Sequence, residues 1–152
     1  MNRRAFLSTV TVPLGVRLAR AASGAVQTDD GWTPLFNERD LASWDTWLGK
    51  PYGLNTDPRN VFSVVETDGA RAVRISGEVY GALTTRLEFE NYHLRFEFKW
   101  GERRWPPREQ ALRDSGCCYH GVGPHGASYG FWLQSFEFQV QEDPDVTLEL
   151  LD

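Results

Sequence analysis

The chain has 152 residues, enough for one domain, with 16 Lys+Arg set against 21 Asp+Glu. That acidic balance repels phosphate backbones and argues against a nucleic-acid partner. The two cysteines, Cys117 and Cys118, are adjacent, which fits neither a disulfide framework nor a zinc site. Neighbouring Cα atoms lie about 3.8 Å apart, below the usual disulfide range, so buried thiols on a strand are expected.

At the start, Arg3-Arg4 stands directly before an apolar run, Ala5 to Val16, and Ala19-Arg20-Ala21 gives an A-x-A cleavage pattern. This reads as a twin-arginine export signal over residues 1–21, which places the mature protein in the periplasm or outside the cell. The run is too short for a membrane span and is interrupted by Pro13, Gly15 and Arg17. No membrane association is expected after cleavage. The signal carries Arg3, Arg4, Arg17 and Arg20, so the remainder keeps 12 basic residues against 21 acidic ones, a net −9. Residues 22–31 are small and polar and read as a flexible leader, and residues 32–152 form the domain.

From Trp32 onward no stretch carries a convincing 3.6-residue period, and Gly and Pro recur too often for long helices. Short strands are predicted at Val61–Val65, Ala72–Ser76, Ala82–Leu87, Gly116–His120 and Tyr129–Leu133. The clearest is Tyr92–Trp100, with Leu94, Phe96, Phe98 and Trp100 on one face and His93, Arg95, Glu97 and Lys99 on the other. Phe136–Gln141 alternates likewise. Between them runs a longer loop, Gly101–Asp114, which carries Trp105-Pro106-Pro107 and reads as a site wall. Many half-buried strands without helices predict an all-β antiparallel sandwich or jelly roll.

Candidate chemistry collects in four places. Glu137 and Gln139 share a strand face, with Glu142 at its end, a set suited to a polyhydroxylated ligand or to an ordinary solvated edge. Glu97 and Lys99 lie on the polar face of the Tyr92 strand, where mixed charges are normal cross-strand pairing. His120 ends the Asp114-Ser115-Gly116 strand and suits either proton transfer near neutral pH or a structural role. Trp105 is the aromatic side chain best placed to stack on a ligand. No phosphate loop, nucleophile elbow or His-Glu-x-x-His motif is present.

Four blocks in order resemble the bacterial 3-keto-disaccharide hydrolases, also described as 3-keto-glucoside 1,2-lyase/3-keto-2-hydroxy-glucal hydratase domains. Leu35-Phe36-Asn37 through Asp40-Leu41 to Trp44 is similar to the family opening, with Glu38 where a glycine is usual. Tyr92 to Lys99, Asp114-Ser115-Gly116 to Tyr119-His120, and Glu137-Phe-Gln139-Val-Gln-Glu142 are similar to its later strands. The resemblance implies a concanavalin A-like jelly roll whose concave sheet holds a 3-keto-sugar. It implies 1,2-elimination followed by hydration, with Glu137 or His120 as base and proton carrier. Lys99 would stabilise the enolate, a divalent metal being the alternative. Gln139, Glu97 and Arg86 would position hydroxyls, with Glu142 and Trp105 also against the substrate. A sugar 3-oxidoreductase is the implied supplier of the keto-sugar. The family continues past the position of Glu142, whereas this sequence runs Asp143-Pro144-Asp145 to Asp152, so the jelly roll is expected to be incomplete at its C-terminus. A non-catalytic carbohydrate-binding jelly roll and an inactive truncated fragment are therefore the alternatives.

Overall fold

The computed structural model describes residues 32–142, together with the backbone of two short segments, Phe6–Leu7 and Gly15–Leu18. The arginine pair, the expected cleavage site, the leader at 22–31 and the ending at 143–152 lie outside the described residues.

Eleven strands follow in chain order among the described residues: β1 (Phe6–Leu7), β2 (Gly15–Leu18), β3 (Thr33–Pro34), β4 (Trp44–Leu48), β5 (Gly53–Leu54), β6 (Phe62–Thr67), β7 (Ala70–Ile75), β8 (Gly81–Thr85), β9 (Tyr92–Arg95), β10 (Asp114–Val122) and β11 (Gln134–Gln141). There is no helix among them, and every ladder is antiparallel. The fold is thus the all-β antiparallel sandwich of jelly-roll type that the strand pattern predicts. The hydrogen-bonded orders are β1-β8-β4-β5, β3-β2-β9, β6-β7 and β10-β11. β1 also runs beside β10, so β8 and β10 flank it. The two segments within the expected signal therefore hold strand positions, β1 against β8 and β2 between β3 and β9.

Strand register decides which side chains are buried. On β4 and β8, Trp44 pairs Thr85, Thr46 pairs Leu83 and Leu48 pairs Gly81, and this face carries Trp44, Leu48 and Leu83 into the core. Leu35, Phe36, Val61, Phe62 and Phe89 complete that core, with Tyr92, Leu94, Phe96 and Phe98 packed against it. The opposite face of the same two strands carries Asp45 opposite Thr84 and Trp47 opposite Ala82. There Ala82, Cys118 and Leu133 form a second buried cluster, against which Trp132 packs. The contact between Ala82 and Cys118 makes this face continuous with one face of β10 and β11.

Two expectations change. Tyr129–Leu133 is a compact turn closed by a single bridge, Ser128 to Trp132, because Gly126 and Gly130 take left-handed backbone angles there. The strand expected from Tyr92 to Trp100 keeps its hydrogen-bonded ladder only to Arg95, although Phe96 and Phe98 still point inward. Trp44–Leu48, not foreseen as a strand, lies at the centre of its sheet because an apolar-polar alternation was masked by two tryptophans on opposite faces.

The opening block folds as a compact turn. Asn37 Oδ1 accepts from the amides of Arg39 and Asp40 at 2.9 and 3.0 Å, while Asp40 Oδ1 accepts from the Ala42 amide at 3.0 Å. Glu38 sits at its apex with φ of 60°, which explains why a glycine suits this position.

Candidate functional site

β10 and β11 carry most of the candidate chemistry, and their register sorts it by face. Asp114 pairs Gln141, Gly116 pairs Gln139 and Cys118 pairs Glu137, so Asp114, Gly116, Cys118, Glu137, Gln139 and Gln141 share one face. Ser115, Cys117, Tyr119, Phe136, Phe138 and Val140 share the other. The first is the face continuous with Ala82 and Trp47.

Glu137 lies directly over Gly116, so that a β-carbon at Gly116 would overlap its carboxylate. A glycine here is what lets the carboxylate settle against the strand. Partial burial raises the Glu137 pKa above the ordinary value, and the negative charge of Asp114 raises it further. Asp114 in turn accepts hydrogen bonds from Gln139 Nε2 and from Arg108, the latter at 3.3 Å. The result is a carboxylate more basic than usual beside a hydrogen-bonded Asp–Gln–Arg group.

Glu142 closes one end of this strand pair. Its carboxylate accepts from the Arg113 amide and from Arg104 at 2.9 Å each, and it pairs with the Arg113 guanidinium. These hydrogen bonds, Arg113 first, hold its pKa down at about 2. Glu142 therefore fastens the loop from Phe96 to Arg113 to the end of β11 and is occupied by arginines. In that loop Trp105 donates from Nε1 to the Ser76 carbonyl at 2.9 Å, and Arg103 lies over its ring at 3.6 Å.

His120 departs from the simple alternation. A bulge follows Tyr119, with the next paired residues being Val122 and Gln134, and His120 takes φ of 57°. Its ring is thereby placed with Tyr92, Tyr119 and Phe136, at centroid distances of 6.1, 5.3 and 6.4 Å. His120 thus faces a cavity of about 770 Å³, lined also by Glu90, Asn91, Leu94, Phe96, Cys117 and Phe138. This is the face of β10 and β11 opposite to Glu137, on which Phe136 and Phe138 remain exposed. Strict period-2 reading puts His120 beside Glu137; the inserted residue turns it away.

The other sequence candidates are dispersed. Lys99 is exposed and bonds Asp68 in the β6–β7 turn at 2.9 Å, and Glu97 is exposed on the stretch after β9. Arg86 donates through Nε to Asp45 at 2.9 Å and through NH1 to the Ala42 carbonyl at 2.9 Å. Asp45 also accepts from Asn55 at 3.0 Å; burial pushes its pKa up, but the Asn55 and Arg86 bonds outweigh it and hold the group below the ordinary value. The structure therefore joins Glu137 with Gln139, adds Asp114, and sets Lys99, Glu97 and His120 apart from them. Asp114 was missed as a candidate, because its link to Gln139 depends on strand pairing across 25 positions.

Both cysteines are free and buried, as expected, and burial lifts the Cys117 thiol to about 12. Among the described residues no group of three or more His, Cys, Asp or Glu is arranged to hold a metal ion. No helix among the described residues is long and apolar enough to cross a membrane.

No curated protein and no solved structure matches the chain. The family described as the 3-keto-alpha-glucoside-1,2-lyase-like domain matches residues 31–148, most of the chain and strands β3 to β11. The chain therefore belongs to the 3-keto-alpha-glucoside-1,2-lyase-like domain family, whose activity is directed at 3-keto-glycosides and whose substrate is a small sugar.

Proposed function

We propose that this protein cleaves 3-keto-glycosides by 1,2-elimination followed by hydration, with Glu137 as the general base. The observation that carries the reading is Glu137 itself: a carboxylate of raised pKa, seated over Gly116 on the open face of a sugar-family sandwich.

The ketone at C3 acidifies the C2 proton by spreading the carbanion into an enolate. Glu137 removes that proton, and a more basic carboxylate does so with less penalty. Collapse of the enolate expels the C1 oxygen and forms the C1–C2 double bond. The proton held on Glu137 is then returned to the leaving oxygen. Water adds at C1 while C2 regains a proton, giving net hydrolysis. Gln139, on the same face, positions the sugar hydroxyls, and Asp114 holds Gln139 through its amide. Arg86 lies on the continuous face beyond Ala82 and extends the hydroxyl-binding surface.

The substrate must come from an enzyme that oxidises the C3 hydroxyl of a glycoside, a sugar 3-oxidoreductase by chemistry. Export through the twin-arginine route rests on Arg3-Arg4, the apolar run and Ala19-Arg20-Ala21.

A proton NMR time course with 3-keto-trehalose tests the reading. Appearance of free glucose and free 3-keto-glucose supports it. A sugar that binds, with line broadening, but stays intact points to a carbohydrate-binding module instead and defeats the enzymatic reading.

A further inference from the structure

β11 stands at the end of its sheet: among the described strands it is hydrogen-bonded to β10 alone. Its eight residues therefore present a row of backbone donors and acceptors along the outer edge. Edge strands are usually protected from pairing by short length, by Lys or Pro, or by a bulge. β11 has none of these. It carries no Lys and no Pro, its one charged residue is Glu137, and the bulge in this ladder lies in β10. Phe136 and Phe138 on it are 65% and 64% exposed. β6 is also a sheet edge without Lys or Pro, but its Phe62 and Val64 pack in the core and leave no rings for a partner.

The order of residues on β11 suits a second copy of the same strand. In an antiparallel ladder alternate residues turn both backbone groups outward, and only two such residues can exchange hydrogen bonds. A two-fold pairing of β11 with itself therefore has its axis through a residue, not between two. An axis at Glu137 sets two carboxylates directly opposite, which is unfavourable. Axes at Phe136 or Gln139 shorten the overlap, and set Phe138 opposite Gln134 or Phe136 opposite Glu142. An axis at Phe138 pairs residues 135–141 and matches them: Phe138 meets its own copy, Phe136 meets the partner's Val140, and Glu137 meets the partner's Gln139. Aromatic or β-branched residues opposite one another, and a carboxylate opposite an amide, are favourable cross-strand pairs.

We propose that two copies of this chain join antiparallel along β11, with the two-fold axis at Phe138. The pairing closes on itself, because each copy uses its β11 edge once, and it continues the β10–β11 sheet through both copies. One face of the joined strands carries the phenylalanines of both copies. On the other face Glu137 comes beside Gln139 of the partner subunit, so the carboxylate proposed as base and an amide from the second copy share one surface. The pairing itself stands apart from the sugar-cleaving reading.

Sedimentation of the full chain at micromolar concentration reads the association, and cysteine cross-linking reads the register. The parent is expected to sediment as a dimer. Phe138→Lys sets two ammonium groups opposite each other at the axis, and is expected to sediment as a monomer with the parent's circular dichroism. At the axis the two β-carbons lie about 4.5–5.5 Å apart, within a small shift of disulfide range, whereas Phe136 and its copy lie roughly 13 Å apart. The cysteine variants are placed in a Cys117→Ala chain, because Cys117 is the cross-strand partner of Phe138. Under mild oxidation Phe138→Cys is expected to form covalent dimer at least about ten-fold faster than Phe136→Cys. A monomeric parent overturns the proposal, and leaves the edge to another segment of this chain or to another protein. Species larger than a dimer, or equal cross-linking at both positions, overturn the two-fold pairing at Phe138. A dimer that persists unchanged in Phe138→Lys overturns it too. Should Phe138→Lys fail to fold, the parent's sedimentation and the cysteine variants decide.

Discussion

Gly116 and Glu137 are packed across the β10–β11 ladder so closely that the carboxylate occupies the space a β-carbon at position 116 would need. The backbone contact fixes where the carboxylate sits, and partial burial at that spot raises its pKa. Gly116→Ala is expected to displace Glu137 and lower kcat/KM by about 10²-fold, since a misplaced base loses most of its proton-transfer advantage. Circular dichroism on the same sample is expected to retain the β signature. Activity within a few-fold of the parent would show that the carboxylate position is unimportant.

The raised pKa of Glu137 has a sign that can be followed in the pH profile. As a base, Glu137 acts when deprotonated, so kcat/KM rises with pH through a midpoint above the ordinary carboxylate value of 4.5. Removing the neighbouring charge with Asp114→Asn is expected to move that midpoint downward. Stability runs the other way: the folded state holds this proton more tightly, so the contribution is full below 4.5 and is lost as pH rises through the raised value. Glu137→Gln is therefore expected to melt higher than the parent at pH 7.

Glu142 behaves oppositely. Arg113 and Arg104 hold its carboxylate at about 2, so its stabilising effect is present above 4.5 and fades as pH falls from 4.5 towards 2. Glu142→Gln is expected to lower Tm by about 5 °C at pH 6, with the gap closing near pH 2. Melting curves of both chains across that range check it. A constant gap at all pH values would mean that the charge pairing is not the cause.

Glu38 offers a gain of stability. Its φ of 60° is unfavourable for a residue with a side chain, and its carboxylate is exposed at the turn apex. Glu38→Gly is expected to stabilise the domain by about 0.5–1 kcal/mol, read as a raised midpoint in urea unfolding with unchanged slope. A fall in the midpoint would show that Glu38 makes a compensating contact.

How much was legible in the sequence follows from what each strand encodes locally. The alternation of Phe136 to Gln141 is a local signal, and it placed Glu137 and Gln139 on one face. The inward faces of Leu94, Phe96 and Phe98 were read for the same reason. The link from Gln139 to Asp114, and the clearance that Gly116 gives Glu137, depend on cross-strand register. No periodicity within one strand carries that information. His120 shows the other limit: one inserted residue between Tyr119 and Val122 reverses its face, and a bulge leaves no compositional mark here. The family resemblance grouped Lys99 with Glu137, yet its partner Asp68 lies in a turn that only the fold brings near.

The central claim is that Glu137, and not His120 on the opposite face, removes the C2 proton. Its most direct test is the rate of C2 hydrogen–deuterium exchange of 3-keto-trehalose in deuterated buffer, measured for the parent, Glu137→Gln and His120→Ala. Glu137→Gln is expected to slow exchange by about 10²-fold or more, with His120→Ala within a few-fold of the parent. Exchange that survives Glu137→Gln but collapses in a folded His120→Ala would contradict the assignment and move the chemistry to the cavity beside His120.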